Sequence, residues 1–162
     1  MNTGALDGFE VINTASRFFQ LCDDKDFDGM GSLWTDVVTV DYGEVFPLRG
    51  QVEADALKRT MAEVLGSIPL TQHMITTPVV DVDGDTATVR FHLEALHHHP
   101  GLGTDERTTD WTLYARNVMG LSRGPDGWRI SSEHLTVVHQ TGNTDFVSDL
   151  TRLASGHSLP QR

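Results

Sequence analysis

Apolar residues recur at two different periods along this chain, and the change of period divides it into halves. In the first half, Phe9, Ile12, Phe18, Phe19 and Leu21 return at roughly helical spacing, with Asp7 and Thr14 as start signals. A first helix is therefore predicted, closing at Cys22-Asp23-Asp24. A second covers about 26–34 on Phe27, Met30, Leu33 and Trp34. Residues 37–42 then alternate, placing Val38, Val40 and Tyr42 on one face of a strand. Residues 43–50 read as a loop, and Val52, Ala56, Leu57, Met61, Val64 and Leu65 mark a third helix. Beyond Thr71 period two takes over. Residues 73–82 run into the hairpin signal Asp83-Gly84, and 86–99 return as far as the break at Pro100-Gly101. Residues 108–122 and 128–140 are two more strands, joined by the turn chemistry of Gly124-Pro125-Asp126-Gly127. A short closing helix over 145–153 carries Phe146, Val147, Leu150 and Leu153.

Helices followed by a meander of long strands imply an α+β fold. Its antiparallel sheet must curve strongly to bury the helices. Closed by the N-terminal helices, such a sheet makes a cone with a pocket at its open end. Neither a repeat nor a linker interrupts the chain, so a single domain is expected, with its core over about 9–153 and a frayed tail from 154 to 162.

Strand parity selects the side chains that reach that pocket. In 86–99 the odd positions Val89, Phe91, Leu93 and Ala95 are apolar, so His97 and His99 follow them inward while His92 and His98 point out. His73 shares a face with Ile75, Thr77 and Val79, and Tyr42 follows Val38 and Val40 inward. Histidine titrates near neutrality, so two imidazoles and the Asp23 carboxylate on neighbouring elements suit proton transfer without metal or organic cofactor. The bland alternatives are concrete. A histidine on an apolar face is more often a hydrogen-bonded core residue, and a run of three histidines is more often a solvated strand end. Adjacent histidines on one strand cannot all ligate one ion from one face, so no metal site is expected. Asp23 sits at a helix C-terminus, where a negative charge is mildly unfavourable, which hints at a specific partner.

Composition narrows the partners. The 162 residues hold 12 basic and 23 acidic side chains, for a formal net charge of −11. That argues against nucleic acid or an anionic membrane and favours a neutral or weakly charged small molecule. The single cysteine, Cys22, cannot form an internal disulfide. The first thirty residues show no signal-peptide pattern, and no apolar run is long enough for a bilayer, so a cytoplasmic protein is expected.

Several short segments in order resemble scytalone dehydratase and its relatives in the SnoaL-like branch of the nuclear transport factor 2 superfamily. Asp23-Asp24-Lys25-Asp26-Phe27-Asp28 resembles a D-x-K-D-W-D stretch, and Val40-Asp41-Tyr42 an I-D-Y strand end. Thr71-Gln72-His73 matches T-Q-H, Leu93 to His97 resembles a strand ending in a second histidine, and Asp126-Gly127-Trp128 resembles a last-hairpin hallmark. The resemblance covers about 9–150 and implies a cystatin-like α+β barrel. It makes His73 and His97 the catalytic histidines, Asp23 the aspartate that orients the second of them, and Tyr42 the holder of an active-site water. Ungapped spacing would select His98 in place of His97; parity favours His97. Cys22 stands where the dehydratase has another tyrosine. An apolar pocket is expected from Phe18, Cys22, Phe27, Phe46, Ile75, Val79 and Leu93, with Phe146 and Leu150 as a lid. The implied activity is a dehydratase acting on a hydroxylated cyclic or polyketide-like molecule. Its rivals are a polyketide cyclase or ketosteroid-type isomerase, a non-catalytic small-molecule-binding module, and the small subunit of a ring dioxygenase. Relatives bury the open sheet face by oligomerising, so a dimer or trimer is expected.

Overall fold

In the computed structural model, which describes residues 3–43, 45 and 48–159, the first helix is α1 (Thr3–Asp23). It forms because Val11, Ala15, Phe18, Phe19 and Cys22 fall on one stripe, all of them buried. Phe9 lies off that stripe and is 68 % exposed. α2 (Phe27–Ser32) starts at Asp26, whose carboxylate accepts from the Gly29 backbone N–H at 2.8 Å. β1 (Trp34–Asp41) and the short β2 (Arg49–Glu53) form a hairpin. β2 falls within and just beyond the stretch read as loop. It is an edge strand with a glycine at φ 109° and no buried residue, so it shows no apolar alternation. α3 (Ala54–Leu65) buries Leu57, Met61 and Leu65, one per turn.

Four long strands follow. β3 (Leu70–Asp83) and β4 (Thr86–His98) pair across the Gly84 turn. A 3-10 turn (Pro100–Leu102) and α4 (Glu106–Thr109) lead to β5 (Asp110–Gly124), which pairs with β6 (Gly127–Gly142). α5 (Phe146–Ala154) closes the order. The sheet runs β2-β1-β6-β5-β4-β3. Its neighbours are antiparallel except β1 and β6, which run parallel with Val40 opposite Glu133. The four long strands pair antiparallel to one another, as the sequence predicts, and β1 adds the parallel pairing. β1 belongs to the helical half and joins the meander from outside, so no hairpin fixes its direction.

Register shifts at Thr76/Val79, Tyr114/Ala115 and Gly120/Leu121 bend the long strands. The curved sheet keeps two open edges, β2 and β3, and so forms an unclosed cone. The parity of β4 holds throughout: Val89, Phe91, Leu93, Ala95 and His97 are buried and His92 is exposed. These side chains meet those of α1 and α3 in the interior.

Candidate active site

The mouth of the cone holds a cavity of about 70 Å³. Its wall is apolar except where His73, His97, Tyr42 and Glu133 interrupt it. Of the residues expected there, Phe18, Cys22, Tyr42, His73, Leu93 and His97 line it.

His73 is held from behind. Its Nδ1 lies 2.7 Å from Asp23 Oδ1, and its backbone N–H donates to Asp23 Oδ2 at 2.8 Å. Thr71 Oγ1 donates to Asp23 Oδ1 at 2.8 Å. Burial opposes ionisation of Asp23, but the hydrogen bonds from His73 and Thr71 and the His73 charge outweigh it and hold the carboxyl below its ordinary value. An ionised Asp23 can only accept, so Nδ1 of His73 carries the hydrogen and Nε2 is the free position. The ring stacks on Phe19, centroids 5.3 Å apart, and meets His97 edge-on at 5.6 Å.

The assignment of Asp23 to the second histidine is therefore corrected: Asp23 binds His73. β3 is the sheet edge against which α1 packs, and Thr71 of β3 stands opposite His97 of β4. The end of α1 meets β3 first, and His97 lies one strand further in. His97 is 4 % exposed, stacked on Trp111 at 4.6 Å, with Nδ1 3.4 Å from the Trp111 carbonyl oxygen. Burial, reinforced by His73, pulls its pKa down to about 3, so it is a neutral imidazole near neutral pH. His98 points to the opposite face and pairs with Asp110 at 2.5 Å, while His99 accepts the Gly101 N–H in the 3-10 turn. Parity separates His97 from His98, but His99, expected inward with His97, does not line the cavity, because β4 ends at His98 and His99 caps the 3-10 turn.

Other expected lining residues lie elsewhere. Val79 is 53 % exposed on the outer face, because the bulge at Thr77 (φ 52°) reverses parity and turns Val80 and Val82 inward. Ile75 keeps its inward side and packs against the core without lining the cavity, and the Phe27 ring sits beside Gly66 at the end of α3. Phe146 and Leu150 are buried but do not line the cavity: the Phe146 ring is 6.2 Å from His97 and 6.0 Å from Trp111. Phe46 lies outside the described residues.

The sequence reading missed Glu133. It is 3 % exposed, accepts from the Tyr42 hydroxyl through Oε2, and accepts from Asn117 Nδ2 through Oε1 at 3.0 Å. Burial raises its pKa above the ordinary value, against the hydrogen bonds from Tyr42 and Asn117. Burial and Glu133 together raise Tyr42. The signal was available: Glu133-x-Leu135-x-Val137 gives an acid an inward place in an apolar alternation.

Cys22, Asp23 and His73 place one donor atom each within 4.8 Å of the others, a spacing a metal ion accepts. Their chemistry does not fit one. Burial pushes the Cys22 thiol up to about 12, and both Asp23 oxygens and His73 Nδ1 are already engaged with one another and with Thr71.

Comparison with known proteins agrees with this fold. The chain is 27% identical over 124 residues to the uncharacterised protein Rv2910c of Mycobacterium tuberculosis, covering 76% of this chain and 80% of that one. The crystal structure of the Kfla4162 protein of Kribbella flavida superposes with a TM-score of 0.82 at 27% identity, covering 91% of this chain and 99% of that one. A candidate scytalone dehydratase of Novosphingobium aromaticivorans has a TM-score of 0.75 at 19% identity, covering 88% and 91%. A candidate dehydratase of the NTF2-like family from Streptomyces avermitilis has a TM-score of 0.70 at 24%, covering 83% and 99%. The model of the SnoaL-like domain matches residues 5–134, and the chain belongs to that family.

Proposed function

We propose that the protein is a cofactor-independent hydro-lyase that dehydrates a hydroxylated cyclic or polyketide-like molecule by His/Asp acid–base chemistry. The observation that carries this reading is the Asp23–His73 pair beside a largely apolar cavity that also holds a second histidine and a Tyr42–Glu133 pair. Nε2 of His73 takes the proton from a carbon next to a carbonyl or phenol, and Asp23 balances the positive charge that the ring acquires. Tyr42 holds the carbonyl oxygen. A proton on Glu133 reverses their hydrogen bond and frees the tyrosine O–H to point at that oxygen as negative charge develops. His73 then returns its proton to the departing hydroxyl, and water leaves. Neutral His97 orients the hydroxyl. The base is His73 and not the histidine the resemblance pairs with Asp23, because the carboxylate sits on His73. A positioned acid–base group contributes roughly a hundred- to ten-thousandfold in rate.

No described helix is long and apolar enough to cross a membrane. Met74, Val79 and Val138 are exposed on the outer sheet, which supports an oligomer that buries this face.

A mass-resolved screen of hydroxylated cyclic ketones and polyketide-like phenols tests the reading, with His73→Ala and His97→Ala as controls. A product lighter by one water, lost in His73→Ala, is expected. A product of equal mass would indicate an isomerase or cyclase. Tight binding without turnover would leave a binding module.

A further inference from the structure

α1 ends in a turn that glycine normally completes. The Lys25 N–H donates to the Cys22 carbonyl at 3.2 Å, and the Asp26 N–H donates to the Leu21 carbonyl at 2.9 Å. This is the paired bonding of a helix stop whose penultimate residue takes the left-handed conformation. Lys25 occupies that position, at φ 61°. A lysine pays a steric cost there that glycine would not. Its side chain therefore needs a reason to be present.

The ammonium supplies one. Lys25 Nζ donates to Thr71 Oγ1 at 2.7 Å, and among the described residues it has no ion pair. An ammonium has protons and no lone pair, so Thr71 must receive it as an acceptor. The single hydroxyl proton of Thr71 is then directed to its other neighbour, Asp23 Oδ1, at 2.8 Å. Asp23 in turn receives the His73 ring. The order Lys25, Thr71, Asp23, His73 thus has only one direction of donation at its first two bonds.

We propose that Lys25 is a positioning residue for the Asp23–His73 pair: acting through Thr71, it keeps Asp23 a fully engaged acceptor and sets the proton affinity of His73. This rests on the reading of His73 as the working base, but it can be tested without substrate. The titratable and charged groups around the His73 ring are Asp23 and Cys22 from α1, Lys25 from the turn, His97 from β4, Tyr42 just after β1 and Glu133 from β6. Asp24 is exposed and Asp26 caps α2. By holding the Thr71 hydroxyl proton on Asp23, Lys25 draws on the carboxylate's negative charge, and removing it leaves Asp23 a stronger acceptor for a protonated His73.

The experiment is an NMR titration of the His73 imidazole in the ligand-free full chain, with the resonance assigned by its loss in His73→Gln. Lys25→Met is expected to raise the His73 midpoint by about 0.5–1 pH unit, a three- to tenfold gain in proton affinity. Lys25→Gly, which removes the side chain and relieves the backbone, is expected to give the same shift with the fold intact. Lys25→Arg should restore the wild-type midpoint. Thr71→Val should shift it in the same direction, and adding Lys25→Met to it should move it little further. An unchanged midpoint in Lys25→Gly overturns the proposal and leaves Lys25 a structural cap. Fully additive shifts in the double variant overturn the route through Thr71. Failure to find a dehydratase substrate would count against the proposed function and leave this titration readable.

Discussion

A buried neutral histidine makes a protein acid-sensitive, and His97 sets the size of the effect. Burial lowers its pKa from 6.5 to about 3 in the folded chain, while the unfolded chain keeps the ordinary value. Between those values the unfolded state binds a proton that the folded state does not. Stability is therefore fully present above the unfolded value and is lost as pH falls toward the folded one. At about pH 4.5 the gap is roughly two units, or about 3 kcal/mol at 1.36 kcal/mol per unit. Glu133 works in the opposite sense, because its raised pKa favours the folded state as pH falls. A comparison with His97→Gln cancels that contribution. Urea unfolding followed by the fluorescence of the buried Trp34, Trp111 and Trp128 is the assay. The loss of stability between about pH 7.5 and about pH 4.5 should be about 3 kcal/mol larger in the wild type than in His97→Gln. Equal losses would refute the reasoning, since they would mean that His97 takes up a proton without cost in the folded cavity.

Three further outcomes follow from the same geometry. Asp23→Asn should lower kcat by a hundredfold or more on a verified substrate while the fold survives, because the amide cannot fix the His73 tautomer or balance its charge; steady-state kinetics with circular dichroism checks both halves. Tyr42→Phe leaves Glu133 Oε2 without its donor in a dry wall and should cost about 1–3 kcal/mol in urea unfolding. Gly142→Ala places a Cβ 2.2 Å from the Asp110 carbonyl oxygen at φ +78°, so the Tm should fall by several degrees, by about 5 °C or more.

The fold was legible where one period ran uninterrupted. The α1 stripe, the α3 ladder and the alternation of β4 each bury what their spacing says, and parity separated His97 from His98, though it also sent His99 inward, past the end of the strand. Legibility failed where a single residue broke the count. The bulge at Thr77 moved Val79 to the outer face, and a bulge at Ser131 separates Ile130 from Glu133. An inserted residue changes the face of everything after it, and nothing in the local composition announces it. The partner of Asp23 was hidden for another reason. Whether a carboxylate at the end of α1 reaches His73 or His97 depends on which strand forms the sheet edge, which is a property of strand order and not of spacing.

Two carboxyl groups in this site differ in what surrounds them. Glu133 lines the cavity, Asp23 is hydrogen-bonded to His73 in the same wall, and the two carboxyls are pushed in opposite directions. Asp23 is held ionised by a backbone N–H, a hydroxyl and an imidazole. Glu133 is buried among apolar side chains and is pushed toward its neutral form. A core selected for stability alone has no use for either, since a leucine at Glu133 would avoid the cost of burying a carboxyl group. A pair of acids tuned apart at one cavity is what acid–base catalysis requires: one ready to support a proton acceptor, the other ready to lend a proton to a developing negative charge. His73 and Tyr42 are the groups through which the two carboxyls would act on a ligand, because each is hydrogen-bonded to its carboxyl and lines the cavity.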